Sequence, residues 1–470
     1  MQSEEFRRHA HAMVDWMADY VRDVGTLPIT PAGSPGDIRQ RLPASPPAAA
    51  EPFEQVFADF KRVIVPGMTH WNHPGWMAYF PGNNSPPSIL GEMLTSVMGA
   101  QCMSWATSPA ATELEQTVMD WIRQMLDLPS TFTGVIQDTA STATLIALLT
   151  ARERATGFAA GERGLASRGA GLTVYASSEV HSSIDKGVKL AGYGLDNLRR
   201  VPTDHAFALR PDELDRLIAA DRAQGLVPAC VVATIGTTSS TAVDPLSEIA
   251  DVCRRHDVWL HVDAAYAGTA ALVPELRAPF AGVESADSFV FNPHKWMLTN
   301  FDCTAYYVRD TSALLRTFQV TPEYLRTAHD PEVVNYRDWG IQLGRRFRAL
   351  KLWFVIRSYG VEGLRAMIRE HVALARELST WIESRDDFEM MAPVPFGLVC
   401  FRFRPGGQSE AELDRLNQQL LERVNATRRF HLTHTRLEGR YVIRLVVGQR
   451  TTKRDHVEAV WREILEAAKA

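Results

Sequence analysis

No apolar run in this 470-residue chain reaches membrane-spanning length, no cysteines are paired in motifs, and basic charge is not in excess. Each absence removes a class of function. Cys102, Cys230, Cys253, Cys303 and Cys400 lie far apart, with no CxxC pair and no zinc-type spacing. Reduced thiols in a cytoplasmic protein are therefore expected, and no metal site. A formal net charge of -5 without any cluster of Lys and Arg leaves no footprint for nucleic acid or a membrane surface. Glu4, Glu5, Asp15 and Asp19 interrupt any apolar stretch at the start, so no secretory signal is expected. The P-loop pattern, the HExxH zinc pattern, the GxSxG elbow and a GxGxxG following a strand are all missing. Dinucleotide, NTPase, zincin and α/β-hydrolase readings lose their main support.

What is present is a soluble globular composition, 46% hydrophobic and 22% charged, on a chain long enough for two or three lobes. Phe6, Ala10, Met13, Val14, Met17, Val21 and Val24 recur at helical spacing and form one apolar stripe. The Pro- and Ala-rich stretch 42–52 then breaks the pattern as a linker. Two readings of the helix stand: it covers its own core, or it lies across a partner subunit. From about residue 110 to 310, short runs rich in Val, Ile, Phe and Tyr alternate with amphipathic stretches: 172–177, 228–236, 257–265, 287–292 and 303–308. A helix over 244–256 opens on Asp244 and Pro245 as cap and first turn. The alternation predicts an α/β fold, a mainly parallel central sheet with helices on both faces. Beyond residue 345 come a helical stretch (347–385), strand-like runs at 396–403 and 440–447, and a last helix near 454–469, a smaller α+β lobe. The expected segments are an arm (1–85), a large domain (86–350) and a small C-terminal domain (351–470).

The chemistry gathers in four places. Lys295, in FNPHKW, follows a buried strand, where a lysine is either a surface residue just past the strand end or a desolvated amine with a task. Desolvation lowers an ammonium pKa, which a Schiff-base amine requires. Asp263 ends the alternation Val258, Leu260, Val262 at the carboxyl end of a central strand, as a helix cap or as a ligand group. One strand apart, the two make a joint role the better reading, since a pyridinium nitrogen needs a carboxylate partner. Thr139, Ala140 and Ser141 stand where polar residues give way to an apolar helix, a simple cap or an anion site. His181, beside serines after the strand at 172–177, is either a surface histidine or one that stacks on a ring in the same crevice.

At this point the chain resembles the group II pyridoxal-phosphate decarboxylases, close to the aromatic-L-amino-acid decarboxylases. The resemblance is carried by HWNHPGWMAYFP, SWATSPAATELE, GVIQDTASTAT, ATIGTT, WLHVDAAYAG, ADSFVFNPHKW, NFDCTAYYV and LGRRFRALKLWFV, in the family's order and along essentially the whole chain. It implies the fold type I architecture, pyridoxal 5'-phosphate as cofactor, and a homodimer with active sites at the interface, clasped by the N-terminal helix. By position it implies that Lys295 carries the cofactor, that Asp263 partners the pyridine nitrogen and that His181 stacks on the ring. Thr139, Ser141 and Asn292 match phosphate-side contacts, Thr238, Ala265 and His294 other cofactor contacts, and Tyr324 the tyrosine of a mobile catalytic loop. Tyr324 then delivers a proton to Cα; relatives with Phe there form an aldehyde.

The implied reaction is decarboxylation of tryptophan, dopa, tyrosine or phenylalanine to the arylalkylamine. Trp71, Tyr79 and Phe80 match the family's substrate-ring pocket; ordinary core aromatics are the other reading. Gly82 departs from the threonine of animal enzymes, and Gln101 and Met103 replace more apolar or aromatic residues. Gly344 is similar to plant enzymes that prefer indole. A decarboxylase of glutamate or 2,4-diaminobutyrate is the rival, and a cofactor-binding protein without turnover a more distant one.

Overall fold

Consecutive residues of the central strands are apolar and enter opposite cores. In the computed structural model, which describes residues 1–165, 171–320 and 322–469, Cys230 and Val232 pack on one side while Val231 and Ala233 pack on the other. A strand with no polar face must be covered twice, and helices do so here. Ala140–Ala155 puts Ala143, Ile146 and Ala147 on one face. Pro109–Met125 and Leu246–His256 cover the other with Val118, Ile122, Ile249 and Cys253.

The sheet has seven strands: β1 (Thr133–Gln137), β2 (Leu172–Ser177), β3 (Leu198–Val201), β4 (Val227–Thr234), β5 (Trp259–Asp263), β6 (Ser288–Phe291) and β7 (Thr304–Val308). Their spatial order is β1-β7-β6-β5-β4-β2-β3. All neighbours are parallel except those of β7, which runs against β1 and β6. The carboxyl ends of β1, β2, β4, β5 and β6 therefore open on one edge, where ligands collect in such sheets. A second, antiparallel sheet follows, formed by β8 (Phe388–Met390), β9 (Leu398–Phe403), β10 (Thr433–Leu437) and β11 (Arg440–Val446), in the order β10-β11-β9-β8. The helix Arg348–Glu383, kinked at Gly360 (φ 64°), joins the two lobes.

The N-terminal helix Ser3–Asp23 starts on a capping box between Gln2 and Glu5. Its Trp16 meets Phe57 and Phe60 edge-on beyond the linker, yet Phe6, Met13 and Val14 stay exposed. Only part of the stripe is used within the chain.

One expected detail is corrected. Asp244 does not cap the helix, which begins at Leu246 with Pro245 in the cap position. Its carboxylate is buried and accepts the backbone N–H groups of Leu209 (2.8 Å) and Thr234 (2.7 Å). Burial raises the carboxyl pKa to about 7, although the two N–H bonds work the other way. The folded protein thus prefers the protonated form more than the unfolded chain does, so this group's contribution to stability falls as pH rises from about 4 to about 7. The urea midpoint of the wild type minus that of Asp244→Asn should narrow between pH 4.5 and pH 7.5. A gap that widens would show the carboxylate to be the favoured form.

Candidate active site

Five segments that follow the carboxyl ends of parallel strands, together with Phe80, enclose a cavity of about 220 Å³. After β1 come Thr139, Ala140 and Ser141; after β2, His181 and Ser183; from β4 onward, Thr234, Gly236 and Thr238; from β5, Asp263, Ala265 and Tyr266; and after β6, Asn292, His294 and Lys295. Gly236 sits at φ 83°, and a Cβ there would come within 2.7 Å of that of Ala267, so only glycine suits this turn.

One end of the cavity is built to receive an anion. The helix Ala140–Ala155 is capped by Thr139, whose hydroxyl accepts the Thr142 N–H. The Thr139 N–H is taken by Asp138, at 2.5 Å. The N–H groups of Ala140 and Ser141 have no partner among the described residues and stand at the positive end of the helix. Asn292 accepts a hydrogen bond from the Thr304 hydroxyl (2.7 Å) through Oδ1, which leaves its NH2 as donor. His294 Nδ1 accepts the Cys303 N–H (3.0 Å), and burial pulls its pKa to about 3. The imidazole is neutral, with its proton on Nε2.

The other end holds opposite charges apart. Asp263 Oδ1 accepts the Ala265 N–H (3.0 Å) and no lysine or arginine pairs with the carboxylate among the described residues. Lys295 rides on the short turn Pro293–Trp296, its ammonium 5.5 Å from the centre of the Phe80 ring. Burial lowers the Lys295 pKa, and the Asp263 charge opposes that shift in part. Asn83 fixes the lysine backbone by donating to the Lys295 carbonyl (3.0 Å) and to that of Gly448 (2.7 Å). His181 lies at the open side. Its Nδ1 accepts the Ser183 N–H (3.2 Å) and contacts the Ser183 hydroxyl (2.9 Å), so the ring proton sits on Nε2. Desolvation lowers its pKa, Asp263 raises it and Lys295 lowers it further.

All ten residues expected to hold a cofactor line this one cavity. Of the expected substrate residues only Phe80 does, stacked on Tyr266 at 4.0 Å. Tyr79, at φ 54°, turns outward and stacks on Trp71 at 5.6 Å, while Gly82 faces the Trp71 ring from behind. Gln101, Met103 and Gly344 cluster elsewhere: Gln101 accepts the Arg345 N–H, Met103 the Arg337 N–H, and Gly344 packs on Gln101. Tyr324 is 77% exposed on the turn Glu323–Leu325 and does not line the cavity of its own chain. Four lining residues escaped the sequence reading: Ser183, Thr234, Gly236 and Tyr266. The last lies within HVDAAYAG, and alternation along β4 points to the first residues beyond its end.

Residues 35–404 match the pyridoxal-dependent decarboxylase conserved domain. The chain belongs to the pyridoxal-dependent decarboxylases. It is 43% identical to an aromatic-L-amino-acid decarboxylase of Sus scrofa, over 99% of this chain and 96% of that one. A phenylacetaldehyde synthase of Arabidopsis thaliana is 42% identical over 100% of this chain and 96% of its own length. The fold is similar to that of an Oryza sativa TDC crystallised with PLP and tryptamine, at TM-score 0.96 and 40% identity, covering 100% of this chain and 98% of that one.

The cavity fits the family's cofactor on its own terms. Two free N–H groups at a helix start suit a phosphate, the Asp263 carboxylate a pyridine nitrogen, and the desolvated Lys295 amine an aldehyde. The buried Thr234 hydroxyl, unpaired among the described residues, lies on the cavity wall as a further donor. Asn292→Asp should weaken binding of pyridoxal phosphate to the apoprotein by about tenfold or more, the scale of one lost charge-assisted contact. Pyridoxal, which lacks the phosphate, should bind both proteins alike by fluorescence titration; equal losses for both compounds would remove Asn292 from the phosphate end.

Proposed function

We propose that the protein decarboxylates an aromatic L-amino acid to its arylalkylamine, on a site completed by a second copy of the chain. The observation that carries this reading is Phe80, an aromatic wall of the cavity beside Lys295, continuous in sequence with the stacked Tyr79 and Trp71. A flat ring gains offset contact on such a surface, which the chain of glutamate or 2,4-diaminobutyrate, lacking a ring, does not.

Pyridoxal phosphate, when bound, supplies an electron sink for the bond to be broken. The chain's own groups do the rest. Lys295, held with a lowered pKa, is the amine that would carry the cofactor. Asp263 would keep a proton on the pyridine nitrogen, and His181, with its ring proton on Nε2, would cover the ring face. Ala140, Ser141, Asn292 and His294 would hold the phosphate, and Thr139, Thr238 and Ala265 would complete the cofactor's bed. Tyr324 brings a proton to Cα after carbon dioxide leaves.

Leu90, Leu94, Val97 and Met98 form an exposed stripe along the helix Pro86–Met98, next to the segment carrying Gln101 and Met103. A stripe of this size calls for a partner surface. A homodimer covers it, uses the exposed side of the N-terminal helix, and accounts for Gln101, Met103, Gly344 and Tyr324 lying away from their own chain's cavity. The five buried cysteines, all unpaired, suit the cytoplasm.

Purified protein loaded with pyridoxal phosphate and given tryptophan, dopa, tyrosine, phenylalanine, glutamate and 2,4-diaminobutyrate should release amine from the aromatic acids. Amine only from the last two would sink the reading. Amine-forming and aldehyde-forming relatives are about equally similar, so Tyr324 decides the outcome within it. Tyr324→Phe should shift product from amine toward aldehyde, ammonia and hydrogen peroxide with uptake of oxygen; an unchanged amine yield removes Tyr324 from the proton transfer. Lys295→Ala and Tyr324→Phe subunits, mixed after brief denaturation, should regain amine formation if each cavity takes its tyrosine from the partner.

A further inference from the structure

On β5 the side chains of Leu260, Val262 and Ala264 enter one core, and Trp259 enters the other. Alternation therefore sets His261 and Asp263 together on the Trp259 face, one step of the pleat apart. On that face β4 brings Val232 level with His261 and Thr234 level with Asp263, while β6 brings Ser288 level with His261. His261 is fully buried and does not line the cavity. A buried imidazole is costly unless both ring nitrogens find partners.

The hydrogen bonds around the ring fix where its proton sits. The Trp259 indole N–H can only donate, and it donates to the Ser288 hydroxyl (3.0 Å). The Ser288 hydroxyl proton then has one acceptor within reach among the described residues, His261 Nδ1 at 2.9 Å. Since Nδ1 accepts, the imidazole carries its proton on Nε2. Burial pulls its pKa to about 4, against the opposing charge of Asp263, so the ring is neutral. The Nε2–H donor is buried and has no partner among the described residues. The Thr234 hydroxyl, level with Asp263, is buried and unpaired there as well. Asp263 accepts the Ala265 N–H (3.0 Å) through Oδ1 and no other hydrogen bond among the described residues. Two unclaimed donors thus accompany a carboxylate with lone pairs to spare.

Neighbours on one face of a strand stand about 6.6 Å apart along it, which suits one bridging water better than a direct bond. We propose that His261 is a positioning residue for Asp263: with the Thr234 hydroxyl it holds an internal water that donates to the carboxylate. An imidazole donor, a hydroxyl and a carboxylate give this water about three hydrogen bonds, the usual number for a buried one. Hydrogen bonding to the ionised form stabilises it, so a proton shared between Asp263 and a pyridine nitrogen rests on the nitrogen.

The proposal rests on the reading of Asp263 as partner of the pyridine nitrogen, and its test separates the two. Apoprotein is titrated with pyridoxal phosphate and with its deaza analogue, in which carbon replaces the ring nitrogen. His261→Phe should bind pyridoxal phosphate about tenfold less well, the scale of one buried hydrogen bond to a charged group, and the analogue within about twofold of wild type. His261→Gln, which keeps an N–H donor at similar reach, should restore most of the difference. With an isotopically labelled ring nitrogen, the NMR shift should move toward the unprotonated value in His261→Phe. Thr234→Val should show the same selectivity, and the double variant no further loss, because both residues hold one water. Equal weakening for the two compounds would make His261 a packing residue and overturn the proposal, as would additive losses in the double variant. Should His261→Phe not fold, Thr234→Val carries the comparison, a selective loss supporting the shared water and an equal loss overturning it. A selective loss in Asp263→Asn with none in His261→Phe would sink this proposal alone; no selective loss in Asp263→Asn would remove the Asp263 reading and the proposal with it.

Discussion

Lys295 and Asp263 face one cavity from adjacent parallel strands and form no ion pair. Everything else in the site follows from keeping those two charges close and unjoined. Two opposite charges in a poorly hydrated crevice attract strongly, and a flexible lysine would collapse onto the carboxylate if the backbone allowed it. Here the strand register fixes the separation, the Ala265 N–H pins one carboxylate oxygen, and Asn83 of the N-terminal segment pins the lysine backbone. The space between them belongs to the cavity. Were the pair to close, the lysine would be held protonated, since an opposite charge favours the ammonium, and its nucleophilicity would be lost.

Holding that gap requires the lobes to be locked together, and aromatic rings do much of it. Phe80 stacks on Tyr266, Tyr266 on Trp296 at 4.8 Å, and Trp296 runs parallel to His371 while donating its indole N–H to that ring at 2.9 Å. The column passes from the N-terminal segment, through the turns that carry Asp263 and Lys295, to the long helix joining the lobes. Rings have few rotamers, so ordering them costs little entropy for the area they bury. Arg444 of β11 crosses the same boundary by donating to the Thr238 and Ser239 carbonyls. The cavity thus lies at the edge of the large sheet, and its walls are braced by contacts outside it.

Much of this was legible in the chain itself, for a physical reason. A strand buried on both faces is apolar at most positions, so β2, β4, β5, β6 and β7 stand out as short runs rich in apolar and aromatic residues. The residues just past their ends, Asp263, Asn292, His294 and Lys295, then become candidates by position alone. β3 escaped because it is an edge strand with Arg199 and Arg200 at its centre, the first paired with Asp221. β10 escaped because alternate side chains face water and read as loop. Asp244 was misread because an Asp-Pro pair before an amphipathic run has the composition of a helix start, and only the fold reveals that two distant N–H groups claim the carboxylate first. Phe80 needed the family resemblance: nothing in its spacing separates a cavity wall from a core ring. Tyr266 shows the converse, since it lay inside the most telling motif and carries no charge or ligand chemistry to draw notice.

Distance in sequence also explains why the cavity of one chain looks unfinished. Ala140 and Ser141 offer N–H groups, Asp263 a carboxylate and Lys295 an amine, which is enough to hold a cofactor. Among the described residues none closes the cavity over His181, and Tyr324, to which the proton at Cα is assigned in the proposed reaction, is exposed on a turn that does not line it. Burial in one chain is governed by contacts that chain can make; a residue shared across a two-fold axis must be left uncovered until the partner arrives. An apolar stripe on Pro86–Met98, exposed rings at Trp71 and Tyr79 and an exposed Tyr324 are each unfavourable in isolation. Taken together they fit the proposed site completed by a second copy, in which each would be covered.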